Sequence, residues 1–331
     1  MDEIISLDYG SGGKKTARLI EKLILPRLDN PALRELGDGA IVSGGEKLVF
    51  STDSFVVSPL FFPGGDIGKL SVCGTVNDIA MCGGVPKFLS CSFILEEGFP
   101  VEALEKVIGS ISAACKKAGV QVVTGDTKVV EKGRGDKIYI NTAGIGVLKY
   151  PGLSPRNIRP GDAILLSGTA GDHGAAVMLS RSGLEGTLQS DCAPLNRLCA
   201  AVLESGAAVR CLRDPTRGGV ATTLNEFAED ARCTMVLREA DVPVREDVRA
   251  ACDMLGLDPL YCANEGKLLC VVPQEDAGRA LEAMSSVPEG KNAAQIGTVS
   301  ADRGAGVLLE TAFGGTRILQ KLTGAQLPRI C

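Results

Sequence analysis

Four aspartates and a terminal cysteine are the residues of this chain whose types and places point to chemistry. Asp38, Asp53, Asp78 and Asp126 each stand beside glycines, at the end of an apolar run or on a helical segment. A lone aspartate in a turn ordinarily caps that turn. Four in one half of a chain repel one another once gathered, and a divalent cation with oxygen ligands relieves the repulsion. Mg2+ favours a few carboxylates plus substrate phosphates over an all-protein cage. The aspartates therefore predict a Mg2+–nucleotide site, although no Gly-x-x-x-x-Gly-Lys-Ser/Thr run is present. Lys14, Lys15, Lys69 and Lys128 offer charge for phosphates. Gly10-Ser11-Gly12-Gly13 precedes a helically spaced segment from Lys14 to Ile24, which would point backbone N–H groups at an anion. The other end finishes on Cys331, after Pro328 and Arg329. A thiol on a terminal arm is expected to reach a site or leave it.

The elements that must position these groups follow from periodicity. Residues 66–80 read as a helix carrying Asn77 and Asp78, stopping at Gly83-Gly84, and Val101 to Ala118 is an amphipathic helix. Leu48 to Thr52 reads as a strand ending in Asp53. The alternation of Leu89, Cys91, Phe93 and Leu95 predicts another, and Val120 to Val123 a buried strand delivering Thr124-Gly-Asp-Thr-Lys128 at its end. Lys137 to Leu148 is a further strand and 151–160 a linker. The second half alternates in the same way, with a strand at 163–167 running into Gly168-Thr-Ala-Gly-Asp-His-Gly174 and a helix. A helix at 195–203 comes next, then a turn at Arg213-Asp-Pro-Thr-Arg-Gly-Gly219 with a helix after it. Asn264-Glu265-Gly266 precedes a strand at 267–272, a helix covers 277–284, and strands lie near 296–299 and 307–309. Strands and helices interleave in both halves, so two α/β or α+β domains are expected.

Composition narrows the function. The 331 residues suffice for two cores. Net charge is −5 and aromatics are 4%, which gives nucleic-acid binding little support. No apolar run approaches the roughly 20 residues of a membrane span, and the acidic start Met1-Asp2-Glu3 lacks the features of a signal peptide. A cytoplasmic protein is expected. None of the 12 cysteines makes a Cys-x-x-Cys pair, and the eleven internal ones are expected to pack as buried hydrophobes. A single histidine, His173, rules out a multi-histidine metal site. Beside Asp172, it either lines a cleft or pins a turn.

One family shares these residues in order. Gly10-Ser-Gly-Gly13, Ser51-Thr-Asp-Ser54, Phe61-Phe-Pro-Gly-Gly65, Asn77-Asp78, Val123-Thr-Gly-Asp-Thr-Lys-Val-Val130, Gly171-Asp-His-Gly174, Leu212-Arg-Asp-Pro-Thr-Arg-Gly-Gly219, Asn264-Glu-Gly-Lys267 and Pro328-Arg-Ile-Cys331 resemble the hydrogenase maturation HypE family. More broadly the chain is similar to the aminoimidazole ribonucleotide synthetase and selenophosphate synthetase superfamily. The resemblance implies a two-domain α/β (α+β) aminoimidazole ribonucleotide synthetase-like fold. It divides the chain into an ATP-binding and dimerisation domain over 1–150, a second domain over 151–322 and a mobile tail over 323–331. It implies ATP-dependent dehydration of a carbamoyl group on Cys331 to a thiocyanate, supplying cyanide to the iron of [NiFe] hydrogenase. ATP and Mg2+ are the implied cofactors. Gly10, Ser11, Gly12, Gly13, Lys14, Asn77 and Thr127 would bind the nucleotide, Asp38, Asp53, Asp78 and Asp126 the metal, while Glu265 and Lys128 would handle protons beside the acceptor Cys331. The implied partners are a carbamoyltransferase, an iron-carrying hydrogenase accessory complex and a second copy of the chain. Selenophosphate synthetase places a cysteine beside its N-terminal glycine turn; here none precedes Cys73. A purine-pathway synthetase on the same scaffold and a non-enzymatic thiol carrier are the other readings. A carrier would need neither the aspartates nor the glycine turns.

Overall fold

The computed structural model describes residues 4–6, 19–30, 47–184, 186–302, 304 and 306–321. Gly10 to Lys14, Lys15, Asp38, Arg329 and Cys331 lie outside the described residues.

A nearly all-buried helix, α1 (Ile67–Met81), is the axis of the molecule. Asp66 caps it, its Oδ1 accepting from the backbone N–H groups of Gly68 (2.7 Å) and Lys69 (3.0 Å), as an N-cap carboxylate should. Ser110 donates to the other oxygen of the same carboxylate. A four-stranded sheet in the order β1 (Leu48–Phe55), β6 (Ile138–Leu148), β4 (Gly84–Glu96), β5 (Gln121–Val130) packs on α1 and on α2 (Val101–Ala118). The small strands β2 (Phe61–Phe62) and β3 (Gly65–Asp66) form a separate pair ahead of α1. Only β4 and β5 run parallel, joined through α2; the other pairs are antiparallel, the pattern of a βαβ unit set into a meander. Close approach is written into the glycines: a Cβ at Gly68 would stand 2.4 Å from the Val107 carbonyl oxygen, and one at Gly146 2.4 Å from the Ile79 side chain.

The second half holds a seven-stranded sheet in the order β13 (Thr316–Leu319), β12 (Gly306–Glu310), β9 (Thr234–Arg238), β11 (Ala294–Ser300), β7 (Ala163–Leu166), β10 (Leu269–Val272), β8 (Cys211–Arg213). Only β12 and β9 are parallel. Helices α3 (Asp172–Arg181), α4 (Asn196–Glu204), α5 (Gly219–Ala231), α6 (Glu246–Leu255) and α7 (Ala277–Ser285) accompany it. The mixed, largely antiparallel sheets make both halves α+β.

The two halves share hydrophobic cores. Ala80 and Met81 of α1 cluster with Leu165, Leu198 and Leu268, while Val177 and Cys192 join the core of the first half. Several elements differ from the expectations. The strand predicted to end at Val123 continues to Val130, because Asp126 and Lys128 ride on the solvent face of an edge strand. Strand β1 likewise runs past Asp53 to Phe55. Strands β8, β9 and β13 and helix α6 have no counterpart in the predicted elements. Among the eleven described cysteines, ten are buried; Cys82, at the C-cap of α1, is exposed. No helix among the described residues is long and apolar enough to cross a membrane.

Candidate active site

A cleft of about 220 Å³ opens where β1, the end of α1, the turn at 213–217 and Glu265 meet. It is lined mainly by polar groups: Thr52, Asp53, Ser54, Asp78, Arg213, Asp214, Thr216, Arg217 and Glu265, with Gly74 and Phe55. Each comes from a different local device. Alternation along β1 turns Ser51 and Asp53 toward α1, where Ser51 Oγ donates to Asp78 Oδ2 at 2.7 Å. The Ser54 N–H donates to Asp53 Oδ1 at 2.8 Å. Gly74 keeps the space open, since a Cβ there would stand 2.9 Å from the Phe55 ring. The turn before α5 needs Gly218 and Gly219 at φ +75° and +60°, and a Cβ at Gly219 would press on the carbonyl oxygens of Leu260 and Cys262 at 2.6 Å.

Buried carboxyl groups dominate the electrostatics of the cleft. Burial holds the carboxyls of Asp53 and Asp78 above their ordinary range, and for Asp53 the charge of Asp78 adds to this. Burial, then Asp78 and Asp53, push Asp214 up to about 7. Glu265, 4% exposed, is also raised, chiefly by burial and then by Cys192, Asp214 and Asp191. Arg213 and Arg217 work in the opposite direction on Asp78. Carboxyls raised chiefly by burial, with two arginines beside them, suit a cation together with an anionic, phosphate-bearing ligand. Among the described residues, no three His, Cys, Asp or Glu side chains form a metal-holding group by themselves. The donor set would suit a Mg2+ bound together with a phosphate-bearing ligand, with Asp53 and Asp78 placed to hold it.

The other predicted site residues fall in different places. Asp126 is on the far edge of the first sheet: across the ladder Ser54, Asn141, Ser92 and Asp126 are in register. Three strand spacings put it roughly 14 Å from Ser54, and the odd step relative to Asp53 turns its side chain to the opposite face. Lys128 shares that face and pairs with Asp126 at 3.6 Å, both groups exposed. Thr127, half-buried, lies beside Phe93 on the helix side. Asn77 is buried and its amide is engaged in holding the fold together. It donates to the carbonyls of Ala193 (3.2 Å) and Glu265 (3.5 Å) and accepts from the Leu195 N–H (2.7 Å). These bonds make it a clamp on the Glu265 loop. Lys69 donates to the Gly64 carbonyl at 2.7 Å.

His173 settles as a structural residue. It is fully buried in the first turn of α3, its Nδ1 2.8 Å from Ser190 Oγ and its ring edge-on to Phe62 at 5.4 Å. Burial lowers its pKa to about 4, so it is neutral. Lys267 pairs with Asp191 (3.1 Å) and Asp172 (3.3 Å). Sequence reasoning missed Arg213, Asp214, Thr216 and Arg217 as site residues, although the turn holding them was visible. Its signal was Asp-Pro followed by Gly-Gly ahead of a helically spaced run, which marks a turn that opens a helix.

Comparison with known proteins agrees with this geometry. Residues 36–148 match the AIR synthase related protein N-terminal domain, and 159–310 its C-terminal domain. The carbamoyl dehydratase HypE of Azotobacter vinelandii is 52% identical over 334 residues, covering 99% of this chain and 97% of that one. A crystal structure of hydrogenase maturation protein HypE in complex with ATP superposes with a TM-score of 0.94 at 52% identity, covering 98% of this chain and 99% of that chain. A crystal structure of a HypE–HypF complex matches with a TM-score of 0.80 at 48% identity, over 91% of this chain and 99% of that one. Motifs, two-domain fold and full-length similarity converge: the chain belongs to the carbamoyl dehydratase HypE family, on the AIR synthase related scaffold.

Proposed function

We propose that the chain uses ATP to dehydrate a carbamoyl group carried on its own Cys331, giving a thiocyanate whose cyanide passes to the iron of [NiFe] hydrogenase. One observation carries this reading. Asp53, Asp78, Asp214, Glu265, Arg213 and Arg217 converge on a cleft in a chain 52% identical to a HypE solved with ATP. The carbamoyl oxygen cannot leave as oxide. In the proposed sequence it attacks the γ-phosphorus, the bond to ADP breaks, and the oxygen later departs as phosphate. The nitrogen loses two protons as C–O cleavage completes the C≡N bond. Phosphoryl transfer asks mainly for positioning and charge neutralisation. Arg213 and Arg217 supply positive charge, and Mg2+ held by Asp53, Asp78 and Asp38 would add to it. Glu265, buried at the cleft wall, is the candidate group to take a proton, because a carboxyl with a raised pKa is a stronger base once ionised.

Asp126 and Lys128 enter through a second copy. They lie on the uncovered face of the four-stranded sheet, whose rows also carry Phe50 (68% exposed), Leu48 (49%) and Ile94 (43%). Face-to-face pairing of this surface would bury those apolar groups and bring the partner's edge strand over the cleft, making the site composite. The remaining assignments follow the same reading. Gly10 to Lys14 and Thr127 serve the nucleotide; residues 1–150, 151–322 and 323–331 are the two domains and the tail; the setting is the cytoplasm. The solved HypE–HypF complex supports a carbamoyltransferase partner that loads the thiol. An iron-carrying accessory complex is the proposed cyanide acceptor.

The test is incubation with the carbamoyltransferase, carbamoyl phosphate and Mg-ATP, followed by mass analysis of the C-terminal peptide. A carbamoyl adduct is expected without ATP, and a product lighter by one water with it. Cys331→Ala should keep fold and nucleotide binding and show neither adduct. A nitrile on that variant would refute the acceptor assignment.

A further inference from the structure

Glu265 is held from behind by one carboxylate. Asp191 Oδ1 accepts from the Glu265 N–H at 3.1 Å, and its Oδ2 accepts from the Gly266 N–H at 3.3 Å and from Lys267 Nζ at 3.1 Å. Two consecutive amides and the next side chain thus converge on a single buried group, 3% exposed at its side chain. Lys267 continues to Asp172 at 3.3 Å, and Thr169 Oγ1 donates to the same Asp172 oxygen at 2.5 Å, so the brace reaches the first turn of α3. Contact between the two segments is so close that a Cβ at Gly266 would stand 1.9 Å from the Asp191 carbonyl oxygen. On the other side, the Ala193 N–H donates to the Glu265 carbonyl at 3.2 Å. The loop cannot shift without breaking charge-assisted bonds, which are about twice as strong as neutral ones.

We infer that Asp191 is a positioning residue for Glu265: its bidentate hold on the 265–266 amides aims the Glu265 carboxyl into the cleft. The inference rests on the reading of Glu265 as the proton-handling group. It also predicts an electrostatic signature, since the negative charge of Asp191 is among the influences that raise Glu265. Removing that charge lets Glu265 ionise at lower pH, so the acid limb of kcat moves to lower pH. A residue that merely packed would not displace that limb.

The experiment compares Asp191→Ala, Asp191→Asn and Glu265→Gln in the full chain. It follows ADP release with the carbamoylated tail across pH, with KM for ATP measured in parallel. Asp191→Ala should lower kcat by about tenfold or more with KM for ATP little changed, and Asp191→Asn, which keeps an acceptor, should recover part of it. Both should carry the acid limb downward, and Asp191→Ala should add nothing to Glu265→Gln. Unchanged kcat in the folded Asp191 variants, or a loss with no displaced limb, would overturn the inference while an inactive Glu265→Gln left the Glu265 reading standing. A fully active Glu265→Gln would sink that reading itself. If Asp191→Ala does not fold, Asp191→Asn decides by the same two readouts.

Discussion

Asp214 carries the sharpest consequence at the scale of single residues. Its carboxyl is raised to about 7 by burial and by Asp78 and Asp53. An acid whose pKa is higher folded than unfolded contributes stability below the unfolded value, near 3.8, and loses it as pH rises through 7. The shift of about three units bounds the effect at about 4 kcal/mol. The nucleotide-free protein should therefore lose thermal stability between pH 5 and 8, and Asp214→Asn should flatten that slope. Melting curves of both proteins across that window check it; parallel slopes would refute the assignment. Residue-scale legibility was uneven. Asp53 and Asp78 were readable because each sits where a regular element meets the cleft. Asp126 was not readable as remote, because a one-residue step along a strand reverses the face, and register cannot be counted from one strand alone.

Among the elements, helices with a polar side were the easiest to read. Val101–Ala118 has the same limits in sequence and in structure, since one apolar face opposes a wet one. Helix α1 had to be found by its glycine stop, because it is buried on nearly every side and lacks an alternation to read. Helix α6 escaped because its buried face is only Val248, Ala251 and Cys252. The edge strands β8 and β13 have three and four residues, too few for a period to show. The same all-round burial makes α1 intolerant of added volume. Gly68→Ala should destabilise by about 2–3 kcal/mol as the new methyl meets the Val107 carbonyl oxygen. Urea unfolding would measure the loss. A neutral result would mean that α1 and α2 can part at little cost.

At the scale of the molecule, the uncovered face of the first sheet is the main unmet surface. Phe50, with Ile145 and Phe88 in the same row, offers an apolar strip across three strands. A stable pair buries about 800 Å² on each partner. Phe50→Asp should give a folded monomer in sedimentation or light scattering, with dehydratase activity lost because Asp126 and Lys128 then face water. A monomeric variant with full activity would place the whole site within one chain. The two-domain plan was legible because the elements interleave twice around a proline-containing linker. A second copy was implied only by resemblance, because an exposed phenylalanine carries no periodicity of its own.

Helix α1 belongs to neither half alone. Along its length it lies against β1, β4, β6 and α2, with Ile79 pressed on Gly84, Gly144 and Gly146, while its last residues, Ala80 and Met81, lie in the core that Leu165, Leu198 and Leu268 build. Separating the halves would bare Ala80 and Met81 and open the core that Leu165, Leu198 and Leu268 build. The halves of this architecture are thus joint owners of a beam. They should therefore melt in one cooperative transition, which a single calorimetric peak would show.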